Sequence, residues 1–238
     1  IDLIFGFEAL SDEEWNYNLD KAIELRPEHI SSYQLSIEPK TKLGRQYEKG
    51  EYNALPDDAS HRQYSAIQKR LSEAGYLQYE VSSFCLPGKE AKHNSAYWNR
   101  TPYLGLGPSA HSFDGTKRFW NEPSLTKYLK VYGAHGILNS ESVDGSKRYH
   151  VSGCSIVHTE ILTEKDIFNE TVMLSLRRKE GISLHRVKEN FSSKYYLEFE
   201  KMAAAEVKKG NLAIDGDIIK IPPELLFLSD GIIRDLIL

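Results

Sequence analysis

A strand, a capped helix and a second strand open the chain, and this succession restricts the fold more than any other feature. Ile1 to Gly6 is an apolar run broken only by Asp2. Ser11-Asp12-Glu13-Glu14 has capping-box spacing, with a serine at the cap and a glutamate three residues on. Trp15, Leu19, Ala22, Ile23 and Arg26 follow at helical spacing, and Pro27 stops the helix. The next extended segment runs from His29 to Glu38, before Pro39. Two strands joined through a helix run parallel, because a tight turn can only reverse the chain. The fold class is therefore α/β, built as an open sheet or part of a barrel.

Strand side chains alternate, so each strand has two faces. Ile1, Leu3 and Phe5 share one face, and Asp2 and Ile4 share the other. In the second strand Tyr33, Leu35 and Ile37 oppose Ser32, Gln34, Ser36 and Glu38. The apolar faces suit packing beneath helices, whereas the polar faces would cost free energy in a dry core. A barrel lumen holding a polar ligand or an edge facing water would each account for them. An Asp inside an apolar strand favours the lumen, with Asp2 and Gln34 lining it.

Beyond this unit, Asp57 to Ala74 reads as an amphipathic helix with Tyr64, Ile67 and Leu71 inside, closed by Gly75. Leu77, Tyr79 and Val81 alternate as a strand. Residues 1–136 form the first expected domain. Residues 137–162 show little periodicity and read as a linker or an insertion. Residues 163–238 form a helical second domain, with helices near 163–178, 183–191 and 195–209. Asp215-Gly216 marks a tight hairpin within Leu212 to Ile221, and a last helix starts at Ser229. Three helices and a hairpin are winged-helix-like, which raises a nucleic-acid-binding module. Residues 160–238 carry 12 Lys/Arg against 14 Asp/Glu, without the cationic surplus that displaces counterions from a phosphate backbone. No nucleic-acid partner is expected.

The whole chain has a net charge of -4, and no apolar stretch approaches the ~20 residues of a membrane-spanning helix. Its two cysteines, Cys85 and Cys154, suit a reducing, cytoplasmic location better than a disulfide framework. Placed 69 positions apart, they cannot hold an iron-sulfur cluster by themselves. The sequence starts at Ile1, inside a strand rather than at a Met, so a preceding segment is expected.

Two stretches carry residues suited to chemistry. His93-Asn94-Ser95-Ala96-Tyr97-Trp98 groups an imidazole, an amide and two large aromatic rings. A neutral imidazole can ligate haem iron, and aromatic rings can wall a flat macrocycle. A histidine bonded to a backbone carbonyl would fit those residue types as well. Tyr103 to His111 contains Gly105-Leu106-Gly107, where glycine permits close backbone approach. It lacks the lysine of a phosphate-binding loop and the third glycine of a dinucleotide fingerprint.

Taken in order, these stretches resemble one family. They are Ile1 to Gly6; His29-Ile30-Ser31 with Ile37-Glu38-Pro39; Gly75-Tyr76 with Tyr79-Glu80; His93 to Trp98; Gly105-Leu106-Gly107; and Ala110-His111-Ser112. Arg118 followed by Asn121, Glu170 to Arg177 with Gly181-Ile182, and Leu228-Ser229-Asp230 complete the order. The set is similar to the radical S-adenosylmethionine (SAM) family of HemN, the oxygen-independent coproporphyrinogen III oxidase, and HemW, a haem chaperone. The motif around His93 and the Ala110-His111-Ser112 triplet resemble the HemW branch.

The resemblance implies the C-terminal part of a partial (β/α) radical-SAM barrel, followed by a small helical, winged-helix-like domain. It implies a [4Fe-4S] cluster and SAM in the full-length protein, held through a three-cysteine motif that this chain lacks. Asp2 matches an aspartate that contacts SAM, and Ser36 and His111 match positions that touch the cofactor. Gln34 would line the same lumen. His93 would be an iron ligand or haem-pocket residue, with Tyr97 and Trp98 as macrocycle walls. Haem or a porphyrin is the implied ligand and a haem-accepting protein the implied partner, with binding and delivery the implied function. The alternative is oxidative decarboxylation of coproporphyrinogen III, radical chemistry not expected of a chain without the cluster cysteines. One departure is local: Gly6-Phe7-Glu8-Ala9-Leu10-Ser11 stands where the family has Gly-Leu-Pro and then Gln-Thr.

Overall fold

The structure is a computed structural model and describes residues 1–132 and 156–238. Contacts divide the chain into two compact units, residues 1–95 with 171–238, and residues 96–170.

In the first unit, β1 (Asp2–Phe5), α1 (Asp12–Leu25) and β2 (His29–Gln34) form the expected strand-helix-strand, with β1 and β2 parallel. The capping box is present: the Glu14 N–H donates to Ser11 Oγ (3.1 Å) and the Ser11 N–H to Glu14 Oε2 (3.0 Å). Arg26 ends α1 in the left-handed conformation (φ 46°) just before Pro27. The short helix α2 (Lys42–Glu48) and the longer α3 (Asp57–Glu73) precede an antiparallel pair, β3 (Leu77–Glu80) and β4 (Ser83–Cys85). The sheet order is β1-β2-β4-β3.

The core of this sheet lies under α1 and α3. Phe5 packs on Trp15 (ring centroids 5.7 Å apart) and on Tyr64 (6.1 Å), beside buried Leu19, Ile67 and Leu71. Gln63 of α3 is buried among them and secures the loop that follows β1. Its Oε1 accepts the Gly6 N–H (3.0 Å), and its Nε2 donates to the Leu10 carbonyl (3.1 Å). The departure from family pattern at Phe7 to Ser11 thus has its own internal support.

Helix α4 (Lys92–Trp98) runs across the boundary into the second unit. That unit contains an antiparallel sheet of β5 (His111–Phe113), β6 (Lys117–Asn121) and β7 (Val157–Ile161), with α5 (Leu125–Tyr132) between β6 and β7 in sequence. Of the expected linker, residues 137–155 lie outside the described residues, while residues 157–161 form β7. All five β7 residues are exposed, so the strand is held by its ladder to β6 and not by burial.

Helix α6 (Glu164–Leu176) leads back into the first unit, where β8 (Ile182–Ser183), α7 (Leu184–Asn190), α8 (Ser193–Lys209), β9 (Ala213–Asp215), β10 (Ile218–Lys220) and α9 (Ser229–Arg234) follow. The expected helices form with ends shifted by a few residues, and β9 and β10 make the expected hairpin around Gly216 (φ +61°). Residues 177–179 also pair with β3: the Val81 N–H donates to the Arg177 carbonyl (2.9 Å) and the Lys179 N–H to the Tyr79 carbonyl (3.2 Å). These bonds place 171–238 with the N-terminal sheet, although the sequence suggested a break near 163.

Candidate functional site

The β1–β2 register decides which side chains share a face. Ile4 stands beside Tyr33 and Phe5 beside Gln34. Asp2, Ile4, Ser31 and Tyr33 therefore share one face, and Leu3, Phe5, Ser32 and Gln34 share the helix-covered face. Ile4 is 52% exposed and Tyr33 44%, so the first of these faces is open along its upper half. Asp2 stands on the open face, as expected. Gln34 does not: it is on the side of Phe5, and its Cγ lies against Gly6, 2.8 Å from where a Cβ would sit there. Asp2 and Gln34 thus do not line one lumen. The face of β2 is inverted relative to the sequence expectation because Ile30, fully buried, fixes it, and Ser32 follows Ile30 inward. Leu35 and Ile37 lie beyond the end of β2, as does Ser36, which is exposed.

At the start of β2 lies a polar cluster of residues scattered in sequence, among them His29, Tyr79 and Glu80 of the family order. His29 Nε2 and the Tyr79 hydroxyl are 2.8 Å apart, and burial holds the His29 imidazole below its ordinary pKa. Cys85 is paired with His29 in the β2–β4 register and is buried, with its thiol pushed up by that burial. A thiol so placed is a poor nucleophile and a poor metal ligand. Glu80 is also buried, and its carboxylate accepts the Ser82 N–H (3.0 Å).

Burial raises the Glu80 pKa above the usual carboxylate value. Folding therefore favours the protonated form. Its stabilising contribution is present in acid and is lost as pH rises through the folded-state value. Glu80→Gln is expected to raise the thermal midpoint near pH 7 and to lose that advantage at about pH 4, below the ordinary glutamate pKa. Melting curves across this range check the sign; a pH-independent difference would locate the effect outside the ionisation.

Helix α4 places His93 and Tyr97 four residues apart, hence on one helix face, with Trp98 turned away from it. His93 is exposed and Tyr97 is 42% exposed. Within the second unit Tyr97 meets Tyr103 edge-on, with centroids 4.8 Å apart and planes at 75°.

The glycine-rich run closes on its own sheet. A Cβ on Gly105 would fall 2.1 Å from the His111 carbonyl oxygen, so only glycine fits. The Gly105 N–H donates to Ser112 Oγ (2.9 Å), and Asn121 Nδ2 donates to the Gly107 carbonyl (3.0 Å). The close approach that glycine permits is to β5.

Two further groupings define this unit. The Glu170 carboxylate pairs with both Arg100 and Arg118, and both guanidiniums lie over the Phe113 ring (5.0 and 5.8 Å). Two separate motif pieces, Arg118 and Glu170, are thus one ion-pair cluster. His111, Trp120 and His158 form a stacked row across the three strands. The His111 and Trp120 centroids are 5.2 Å apart with planes at 9°, and those of Trp120 and His158 are 5.6 Å apart at 18°. His158 falls within the stretch expected to be a linker. The alternation of Val157, Thr159 and Ile161 is the signal for a strand there.

The residues present do not fit an iron-sulfur cluster: of two cysteines, Cys85 is buried and Cys154 lies outside the described residues. No group of three metal-binding side chains occurs among the described residues, and none of their helices is long and apolar enough to cross a membrane.

Comparison with known proteins adds to this geometry. No family model matches the chain. The haem chaperone HemW of Mycobacterium tuberculosis is 31% identical over 237 residues, which is 100% of this chain and 54% of that protein. A zebrafish (Danio rerio) mitochondrial protein, radical S-adenosyl methionine domain-containing protein 1, is 28% identical over 244 residues, again 100% of this chain and 52% of its own length. The Escherichia coli HemW is 41% identical over 112 residues, 47% of this chain and 28% of that protein. Among solved structures, E. coli coproporphyrinogen III oxidase (HemN), described as a radical SAM enzyme, superposes with a TM-score of 0.69 at 19% identity. The superposition covers 99% of this chain and 54% of that one, and shows a shared fold. The chain spans about half the length of the curated relatives that match it from end to end.

Proposed function

The chain belongs to the HemN/HemW family of radical SAM proteins, and from that membership we propose that it binds haem and passes it to an acceptor protein. The observation that carries this reading is the exposed His93 on α4, on the same helix face as Tyr97, within a sequence matched from end to end by a haem chaperone. An imidazole nitrogen is a haem-iron ligand, and an adjacent phenol ring can pack on the macrocycle. Trp98 adds a second aromatic side chain at the end of the same helix.

In the full-length protein a [4Fe-4S] cluster and SAM would supply reductive radical chemistry; this chain would contribute Asp2 on the open sheet face. The porphyrinogen oxidase is the alternative reading, supported by the position of Asp2 and by the shared fold with HemN. It is weakened by Gln34, which faces the helices instead. A cytoplasmic location fits a chain whose Cys85 is a buried, unpaired thiol.

Titration of the purified chain with hemin tests the proposal. The Soret band of free hemin is expected to shift and sharpen on binding, and His93→Ala is expected to weaken that binding at least tenfold. A wild-type chain that leaves the spectrum of free hemin unchanged overturns the reading.

A further inference from the structure

We propose that the groove between α3 and the 3₁₀ turn Pro223–Leu228 binds a small amphipathic organic anion, with Lys69 and Lys179 holding its head group. It lies wholly in the first unit and contains none of the side chains assigned to haem above.

The floor of the groove is sheet. Gln78 stands beside Phe84 in the β3–β4 register, and Phe84 beside Ile30, so the three share the helix-covered face. A groove of about 670 Å³ runs along α3 over Gln78 and Phe84, within the ~300–1,000 Å³ range of small-molecule sites. Hydrogen bonds tie its walls together. Gln68 of α3 donates through Nε2 to Gln78 Oε1 (2.9 Å) and to the Pro223 carbonyl (2.8 Å). Gln78 Nε2 donates in turn to the Tyr64 hydroxyl (2.8 Å), which donates to the Val81 carbonyl (2.7 Å). Walls fixed in this way lose little further freedom when a ligand enters.

Charge sets the ligand class. Ser65, Lys69 and Ser72 follow at intervals of four and three residues and form one stripe of α3 along the groove. An ammonium between two hydroxyls presents a row of hydrogen-bond donors to an anionic head group. Lys69 makes no ion pair among the described residues. Lys179 has a carboxylate only at 3.8 Å, that of Glu90, and both of those side chains are exposed to water. Glu224 is the one carboxylate lining the groove, so two lysines against one glutamate leave a surplus positive charge. Phe84, Pro223 and the methylene stems of the lysines add apolar surface, which favours a ligand with an apolar body behind its head. A solvated face of α3 would account for the lysine and the serines. It would not account for a second wall tied to that face through Gln68.

Titration of the purified chain with anilinonaphthalene sulfonate, a dye of fused and linked aromatic rings with one sulfonate, tests the groove. A saturable rise in dye fluorescence is expected. Lys69→Glu is expected to weaken binding about tenfold, because an attraction between unit charges becomes a repulsion. Ser65→Trp, which fills the groove from an exposed position of α3 without changing charge, is expected to weaken it at least as much. Lys188→Glu, an exposed position on α7, and His93→Ala are expected to change nothing. Circular dichroism confirms that each variant is folded. The site is overturned if the dye does not bind, or if either Lys69→Glu or Ser65→Trp binds it as the wild type does. It is overturned as well if His93→Ala abolishes binding, which would place the dye on α4 and leave the haem reading untouched.

Discussion

Glu170→Gln is expected to destabilise the second unit by about 3 kcal/mol. The Glu170 carboxylate is the shared partner of Arg100 and Arg118, and both Glu170 and Arg100 are largely removed from water. Burial already presses the Arg100 pKa down, and the Arg118 charge adds to it. Removing the anion leaves two cations side by side over one phenyl ring. Breaking a buried pair from one side costs ~3–5 kcal/mol, because the remaining charge stays desolvated. The lower end applies here, since Arg118 is 32% exposed and water screens it. Urea unfolding at unchanged slope measures the difference. The double variant Glu170→Gln/Arg100→Leu should recover part of the loss. If it is as unstable as the single variant or worse, the cost lies in packing and the uncompensated-charge account fails.

Gln63→Leu is expected to cost a comparable ~2–4 kcal/mol, for a different reason. The leucine fills much the same volume but can neither accept from Gly6 nor donate to Leu10. Both backbone groups belong to buried residues, and each unsatisfied buried polar group costs ~1–3 kcal/mol. The loop between β1 and α1 should loosen first, which faster amide exchange at Gly6 would report. Normal protection at Gly6 with a lowered midpoint would show that the loop is held by other contacts. Trp15 should be little affected, because its indole N–H donates to the backbone carbonyl of residue 63 (2.8 Å) and not to the side chain.

Some of the candidate site was legible because its signals are local. The Ser11 capping box, the helix stop at Pro27 and the hairpin at Gly216 each depend on a few adjacent residues, and each is found in the structure. The α4 motif is also local, since four-residue spacing puts His93 and Tyr97 on one helix face wherever that helix packs. Strand β7 was missed because nothing buries it: an exposed strand between partner and solvent leaves only a faint alternation of Val157, Thr159 and Ile161. His158 was missed with it, and so was the stacked row that needs three strands to exist.

Cluster residues separated in sequence were legible only as motif pieces. Arg118 and Glu170 could be placed in the family order, but nothing local indicates that they share a salt bridge. The same holds for Gly105, whose need for a missing side chain arises from the His111 carbonyl six residues on. Gln34 shows the converse failure. Alternation correctly paired it with Ser32 on one face, yet whether that face looked at helices or at solvent depended on the packing of Ile30.

By itself the sequence determined the α/β class, the parallel β1–β2 unit, the helix caps and the membership of a family, because propensity, spacing and motif order are properties of the chain. Only the tertiary structure decided which face of β2 is buried, that residues 177–179 pair with β3, and that His111, Trp120 and His158 stand in one row. Those outcomes follow from strand register and from competition between faces for burial, which are set by partners far away in the sequence.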